Sequence, residues 1–286
     1  MFLDKMAAGS LRIGFIGAGR MATALVRGML ASGNFKAANI MASHPSRDPP
    51  TDSGLEMRKL NVPLTHDNLE VLEKSDVVFI AVRPSRVRKV ASELAPVVTR
   101  DKLVASVALG ITIRTLESLL PGKSRVVRVM PNTPTLVNAG VSGFTTGHNC
   151  ITGDAETVTE ILSTVGLAVQ VPEDLVDPLT GLSACGPSYM LTAMEALSDG
   201  GVKMGIPRRL ANQLAAHTLK GAAELVLKTG KHPVELKDDI QSPGGASIYA
   251  MHCLERSGFR GTIADAVETA AHRSKEMGEI VYLRED

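Results

Sequence analysis

Tryptophan is absent from the 286 residues, and only three tyrosines and six phenylalanines occur. Such a chain offers few aromatic platforms on which bases could stack. Neither sign of charge is in excess, with 31 Lys and Arg against 30 Asp and Glu. The electrostatic footprint of a nucleic-acid binder, or of a protein held on an anionic membrane, is therefore missing. Cysteine is scarce. Cys150, Cys185 and Cys253 lie far apart with no Cys-x-x-Cys, which argues against a disulfide framework or a metal site and suits a reducing compartment. No run of ~18 uninterrupted apolar residues exists, so no membrane span is expected. The first ten residues lack the apolar core of a secretory signal and the Arg-rich face of a typical transit peptide. A cytoplasmic enzyme is the expectation, with a mitochondrial address lacking a recognisable presequence left open. Met6 is an alternative start that leaves the first strand untouched.

What the chain does contain is a glycine turn. Ile13 to Ala22 reads Ile-Gly-Phe-Ile-Gly-Ala-Gly-Arg-Met-Ala, an apolar run entering Gly-x-Gly-x-x-Ala. Gly17 allows a tight turn, Gly19 lets backbone approach a pyrophosphate, and Ala22 lets a helix pack close to its strand. The helix N-terminus would then present unpaired N–H groups to phosphate. The pattern alone fits an ordinary strand-to-helix turn equally well, so its context decides.

That context is alternation. Strands are expected at Leu11–Ile16, Asn39–Ser43, near Val62, Asp76–Val82, Lys102–Val107 and Arg125–Met130. Helices are expected between them at Met21–Leu30, Met57–Leu60, Leu69–Glu73, Val87–Leu94 and Arg114–Leu120, with a Pro-rich loop over 43–53. Gly140–Thr145 and Ala168–Val171 add short strands around a helix at Ala155–Ser163. The fold class is α/β: a Rossmann-type, doubly wound, mostly parallel sheet over 1–172, then an all-helical dimerisation domain over 173–286.

No acid follows the second strand before Asp48; His44, Ser46 and Arg47 stand where an NAD-specific protein places its ribose-binding carboxylate. NADPH is therefore the expected cofactor, with NADH second. Ligands in such sheets lie beyond the strands' carboxyl ends. That points to Ala81, Val82, Arg83 and Pro84, and to Val107, Ala108 and Leu109. Asn132, in Pro-Asn-Thr-Pro, reads either as a donor to a cofactor amide or as a turn residue.

Beyond Leu175 the strand signal stops. Thr180–Gly205 reads as a helix broken near Gly186-Pro187, Pro207 opens another that ends at Gly230, and further helices fall at Val234–Asp239, Ala246–Glu255 and Gly261–Gly278. Their broad apolar faces are most easily buried by helices of a second copy, so a homodimer is expected. Asp238-Asp239-Ile240-Gln241-Ser242-Pro243-Gly244-Gly245-Ala246-Ser247 breaks the pattern. It offers either a carboxylate cradle at a helix start or plain capping by Ser242 or Ser247.

The glycine turn, Val-Met-Pro-Asn-Thr-Pro at 129–134, Gly-Gly-Val-Lys-Met-Gly at 200–205 and Ser-Pro-Gly-Gly-Ala-Ser-Ile-Tyr at 242–249 resemble the pyrroline-5-carboxylate reductase family, in order from about Arg12 to Gly278. The resemblance implies NAD(P)H-dependent reduction of the cyclic imine 1-pyrroline-5-carboxylate to L-proline, the final step of proline biosynthesis. It also implies an interlocked dimer, often built into a decamer. Its cofactor contacts carry over to Ile16, Gly17, Ala18, Gly19, Arg20 and Met21, to His44, Ser46 and Asn68, to Ala81–Pro84 and to Val107–Leu109. Its substrate contacts carry over to Asp239, Ser242, Gly245, Ala246 and Ser247. The chain departs from the family's usual residues in having Ser247 for Thr, Arg83 for Lys, Ala184-Cys185 for Gly-Ser and Leu109 for Ala.

A five-membered imine needs little activation beyond protonation, so no buried acid is demanded. The expected machinery is the Gly244–Ala246 amides on the substrate carboxylate and the Ser247 hydroxyl on the ring nitrogen. Two rivals remain at this level. In a β-hydroxyacid dehydrogenase, Lys203 of Gly-Gly-Val-Lys would act as acid and base, although its place near a helix end favours capping. In a non-catalytic NADPH-binding sensor, the serine loop would have no role.

Overall fold

The computed structural model describes residues 2–7, 9–45 and 52–283. Eight strands form one sheet: β1 (Ile13–Ile16), β2 (Ile40–Ser43), β3 (Leu64–Thr65), β4 (Val77–Ile80), β5 (Leu103–Ser106), β6 (Arg125–Pro131), β7 (Gly140–Thr146) and β8 (Gly166–Gln170). The order is β3-β2-β1-β4-β5-β6-β7-β8, parallel except for the antiparallel β6–β7 pair. β1, β4 and β5 are buried at every position, because helices cover both sheet faces. Phe15 and Phe79, opposite each other in the β1–β4 register, stack at 5.1 Å.

The helices are α1 (Phe2–Ala7), α2 (Arg20–Ala31), α3 (Asp52–Lys59), α4 (Asn68–Lys74), α5 (Pro84–Leu94), α6 (Ile113–Leu119), α7 (Asp154–Ser163), α8 (Val176–Leu179), α9 (Gly186–Lys203), α10 (Arg208–Thr229), α11 (Pro233–Ile240), α12 (Ala246–Arg256) and α13 (Phe259–Leu283). One core cluster joins Phe15, Phe79, Leu25, Met29, Val158 and Ile161; the other joins Ile80, Leu72, Val87, Leu94, Val104 and Leu116. These are the two faces of a doubly wound sheet.

Four local features go beyond or shift these expectations. The strand expected near Val62 forms at Leu64–Thr65, after Pro63. The short helix at Met57–Leu60 begins earlier, at Asp52, inside the expected loop. α1 was not expected; Phe2 anchors it, lying 4.7 Å from the buried Arg125 guanidinium. The break before α9 takes the form of a π-helical turn at Thr180–Ala184, just ahead of Pro187.

The chain divides into two compact units. The first holds residues 1–184 with 269–286, and the second holds Cys185–Glu268. In the second, Ala211 and Ala215 are the buried apolar side chains, while Leu191, Leu197, Leu214, Leu225 and Leu227 stand exposed. A helical unit that buries no large apolar side chain of its own cannot supply its own stability. Among the described residues, no helix is long and apolar enough to cross a membrane.

Candidate active site

In the first unit, β1 runs directly into the glycine turn. Gly17 sits at φ +102°, and a Cβ there would lie 2.6 Å from the Ala81 carbonyl oxygen. Only glycine closes the turn this tightly. Gly19 is different. It is the N-cap of α2 with ordinary extended backbone, and a Cβ there would meet nothing within 4 Å. No side chain caps α2. Bare backbone and the first-turn N–H groups of Arg20 and Met21 leave this helix start to a phosphate, so the residues fit a dinucleotide. Ile16, Ala18 and Ala22 are buried and hold the turn against the core, whereas Arg20 is exposed.

The turn is braced from beneath. The Gly17 N–H donates to Ser43 Oγ at 3.3 Å, and Ser43 Oγ donates to Asn68 Oδ1 at 2.6 Å. Asn68 Nδ2 in turn donates to Glu93 Oε2 at 2.9 Å. Sequence reasoning named Asn68 and missed Ser43 and Glu93. The available signal was Ser43 ending β2 beside the glycine turn. His44 is half-buried, its N–H donating to the Thr65 carbonyl at 2.8 Å. Ser46 and Arg47 lie outside the described residues.

Ala81–Pro84 leaves the end of β4, and Val107–Leu109 leaves the end of β5. The Ala81 N–H donates to the Ile16 carbonyl and the Val107 N–H to the Ile80 carbonyl. Arg83, exposed, stands at the N-cap position of α5 without a side-chain cap, and Pro84 is the first residue of the helix. Ala108 is buried, while Val107 and Leu109 are half-buried. These segments follow three neighbouring strands, β1, β4 and β5, at the point where the strand order reverses, the place such sheets bind nucleotides. Asn132 has a holding role of its own. Its Nδ2 donates to the Ser183 carbonyl at 3.0 Å, and its Oδ1 accepts from the Val141 N–H at 2.8 Å. Both ends of the amide tie the chain together, which is the part of a turn residue.

Elsewhere in the first unit lies a cleft of about 540 Å³, floored by Arg128, Asp177 and Ser274. Arg128 donates to Asp177 at 2.8 Å and Ser274 donates to the same oxygen at 2.8 Å, while the buried Arg128 Nε has no partner among the described residues.

In the second unit, the serine loop joins α11 to α12. Gly245 is the N-cap of α12, and no side chain caps the helix. Capping by Ser242 or Ser247 is thereby excluded. Gly244 lies at φ +70°, and a Cβ on Gly245 would collide with Ser242 Oγ. The loop is closed tightly on itself. The Gly245 N–H donates to the Ser242 carbonyl at 3.0 Å, so it is not available to a carboxylate. The expected cradle narrows to its neighbours, chiefly the first-turn amides of Ala246 and Ser247. Ser247 Oγ donates to the Ile240 carbonyl at 3.2 Å. Its proton is committed, and its lone pairs remain as acceptors. Asp239, exposed, meets Lys231 Nζ at 3.4 Å; Glu235 and then Asp239 raise the Lys231 pKa. Lys203 is the last residue of α9 and exposed, where a cation complements the helix terminus.

Residues 12–110 match a family described as NADP oxidoreductase, coenzyme F420-dependent, and residues 173–277 match pyrroline-5-carboxylate reductase dimerisation. The chain is 44% identical over 270 residues to bovine pyrroline-5-carboxylate reductase 2, covering 93% of this chain and 84% of that protein. It is 42% identical over 269 residues to mouse pyrroline-5-carboxylate reductase 3, covering 94% and 96%. Among solved structures, Plasmodium falciparum pyrroline carboxylate reductase with NADP bound superposes with a TM-score of 0.85 at 32% identity, covering 94% of this chain and 99% of that one. On sequence and fold alike, the chain belongs to the pyrroline-5-carboxylate reductase family.

Proposed function

We propose that this protein is an NADP(H)-dependent oxidoreductase that reduces 1-pyrroline-5-carboxylate to L-proline, acting on a C=N bond. The observation that carries the reading is the Ser242–Ser247 loop: an uncapped helix start with a hydroxyl beside it, in a chain of this family. NADPH, when bound, supplies the hydride. Gly17, Gly19, Arg20 and Met21 would hold its pyrophosphate at the start of α2, and the Ile16–Met21 turn is fixed by the Ser43–Asn68 relay. Ala81–Pro84 and Val107–Leu109 would take the ring end and His44 the adenosine side; Ser46, given the same role, lies outside the described residues.

Asp239, Ser242, Gly244, Gly245, Ala246 and Ser247 form the substrate side. The Ala246 and Ser247 amides hold the substrate carboxylate. Ser247 Oγ keeps its proton on the Ile240 carbonyl and accepts from the ring N–H of the protonated imine. A hydroxyl used as acceptor selects the iminium, the form of the substrate that takes hydride readily, so orientation supplies most of the gain.

We assign the dinucleotide domain to 1–172 and the substrate and dimerisation domain to 173–286. The exposed leucines of α9 and α10 are covered by the matching helices of a second copy, and dimers assemble further, to a decamer. The enzyme works in the cytoplasm.

The test compares NADPH oxidation with pyrroline-5-carboxylate and with β-hydroxyacids, in the parent protein and in Ser247→Ala. Losing a hydrogen bond to a charged group costs about 1.5–3 kcal/mol, roughly 10- to 100-fold in kcat/KM for the imine, with the Kd for NADPH unchanged. An unchanged kcat/KM removes Ser247 from the chemistry. Turnover of hydroxyacids in place of the imine refutes the substrate, and NADPH binding without turnover of either refutes the enzyme.

A further inference from the structure

We propose that β8 is a pairing edge for a second copy of this chain: two β8 strands meet antiparallel about a two-fold axis and join two sheets into one. The two edges of the sheet are built differently. β3 has two residues and follows Pro63, a blunted edge that resists pairing. β8 has five residues, Gly-Leu-Ala-Val-Gln, with neither charge nor proline. Its inner edge pairs with β7, and it stands last in the strand order.

The side chains of β8 divide by face. Ala168 packs against the core that α7 helps to form. Leu167 and Val169 take the opposite face, where they are 60% and 38% exposed. In register they lie beside Val141 and Gly143 of β7, and Gly143 is overlaid by Leu179 of α8. The helix cover on this face thus stops one strand short of the edge. An uncharged strand of this length with two exposed aliphatic side chains templates another strand.

A second copy is the occupant that fits. The match to the dimerisation family begins at residue 173, three residues past the end of β8, so the edge is continuous in sequence with the region that carries association. Antiparallel pairing of identical strands about a two-fold closes both open edges at once, whereas a foreign strand closes one. The symmetric register places Ala168 on the axis. Leu167 then faces Val169 of the second copy, and Val169 faces its Leu167, giving two aliphatic cross-strand pairs on one face.

The register makes the test specific. In Leu167→Lys/Val169→Lys every such pair becomes lysine against lysine, whereas in Leu167→Lys/Val169→Glu every pair becomes lysine against glutamate. Sedimentation equilibrium of the full chain is expected to show association weakened at least about tenfold in the first variant and largely restored in the second. Both variants change exposed side chains, and parent-like thermal melting confirms that they fold. Hydrogen exchange of the 166–170 segment supplies the second measurement. Its amides are expected to be protected in the associated parent and to lose protection on dilution. Failure of the lysine–glutamate variant to recover, or exchange at 166–170 that is equally fast in the associated and diluted protein, overturns the proposal.

Discussion

Gly17 and Gly19 sit two residues apart in one motif, yet the structure gives them separate duties, and Gly17→Ala and Gly19→Ala should separate them. At Gly17 a Cβ must adopt φ +102° and lie 2.6 Å from a backbone oxygen, which no rotamer can relieve. A residue held in such a region costs about 1–3 kcal/mol, before the contact with Ala81 is counted. For a domain of this size, about 2–4 °C of melting temperature goes with each kcal/mol, so a fall of about 5 °C or more is expected without any ligand. At Gly19, φ is −81° and the space is empty. Alanine fits the backbone, and exchanging glycine for alanine at an N-cap costs no more than about 1 kcal/mol. The apo protein should therefore melt close to the parent. Its Kd for NADPH should rise at least about tenfold, about 1.4 kcal/mol, because the new methyl stands where the pyrophosphate must approach. Thermal melting with and without NADPH, together with titration of NADPH fluorescence, reads both effects. A Gly19→Ala protein that binds NADPH like the parent refutes the placement of the pyrophosphate. A Gly17→Ala protein that melts like the parent refutes the account of the turn.

Two further predictions concern charges away from the site. Burial raises the Asp76 carboxyl, but hydrogen bonds from Arg12 and then Lys5 outweigh it and hold the pKa at about 2. The stabilisation is complete above the ordinary value of 3.8 and is lost as pH falls toward 2. Lys5 and Arg12 are partly exposed, so Asp76→Asn should cost about 1–2 kcal/mol in urea unfolding at pH 7 and almost nothing at pH 2; a cost independent of pH refutes the ionic origin. Asp154 and Arg125 form a buried pair at 2.9 Å with both side chains almost wholly enclosed. Asp154→Ala leaves the guanidinium uncompensated and should destabilise by about 3–5 kcal/mol in the same assay, a result below 1 kcal/mol showing that water reaches it.

The sheet was legible because parallel strands covered on both faces are continuous apolar runs: Ile-Gly-Phe-Ile, Val-Val-Phe-Ile and Leu-Val-Ala-Ser are buried at every position. The glycine turn was legible because it stands between such a run and a helical pattern. What escaped is set by distant partners. Asn132 is taken by Ser183, fifty-one residues on, and Ser43 acquires its role by meeting Gly17 and Asn68. The hydrogen bond that takes the Gly245 N–H out of the cradle is local, but a Ser-Pro-Gly-Gly pattern read for its glycine amides does not show that one of them closes the turn onto Ser242. Windowed patterns register side-chain periodicity; they do not register which of several polar groups closes a loop.

Gly19 and Gly245 are both N-caps without a capping side chain, whereas α4 is capped by Asp67 and α6 by Thr112. A serine, threonine or aspartate in their place would stabilise its helix by only about a few tenths of a kcal/mol over glycine, but would occupy the N–H groups that an anion needs. The two openings still differ. The space over Gly19 is empty, and the turn beneath it is fixed by Gly17 and Ser43. The space over Gly245 is filled by its own loop, through Ser242. The first suits a long ligand that lies across backbone and extends to three strand ends. The second leaves first-turn amides and the acceptor face of one hydroxyl, donors that match a carboxylate and an acceptor that matches one ring N–H. That difference, more than the presence of glycine in both, supports the proposal that the large cofactor takes the start of α2 and the small imine acid the start of α12.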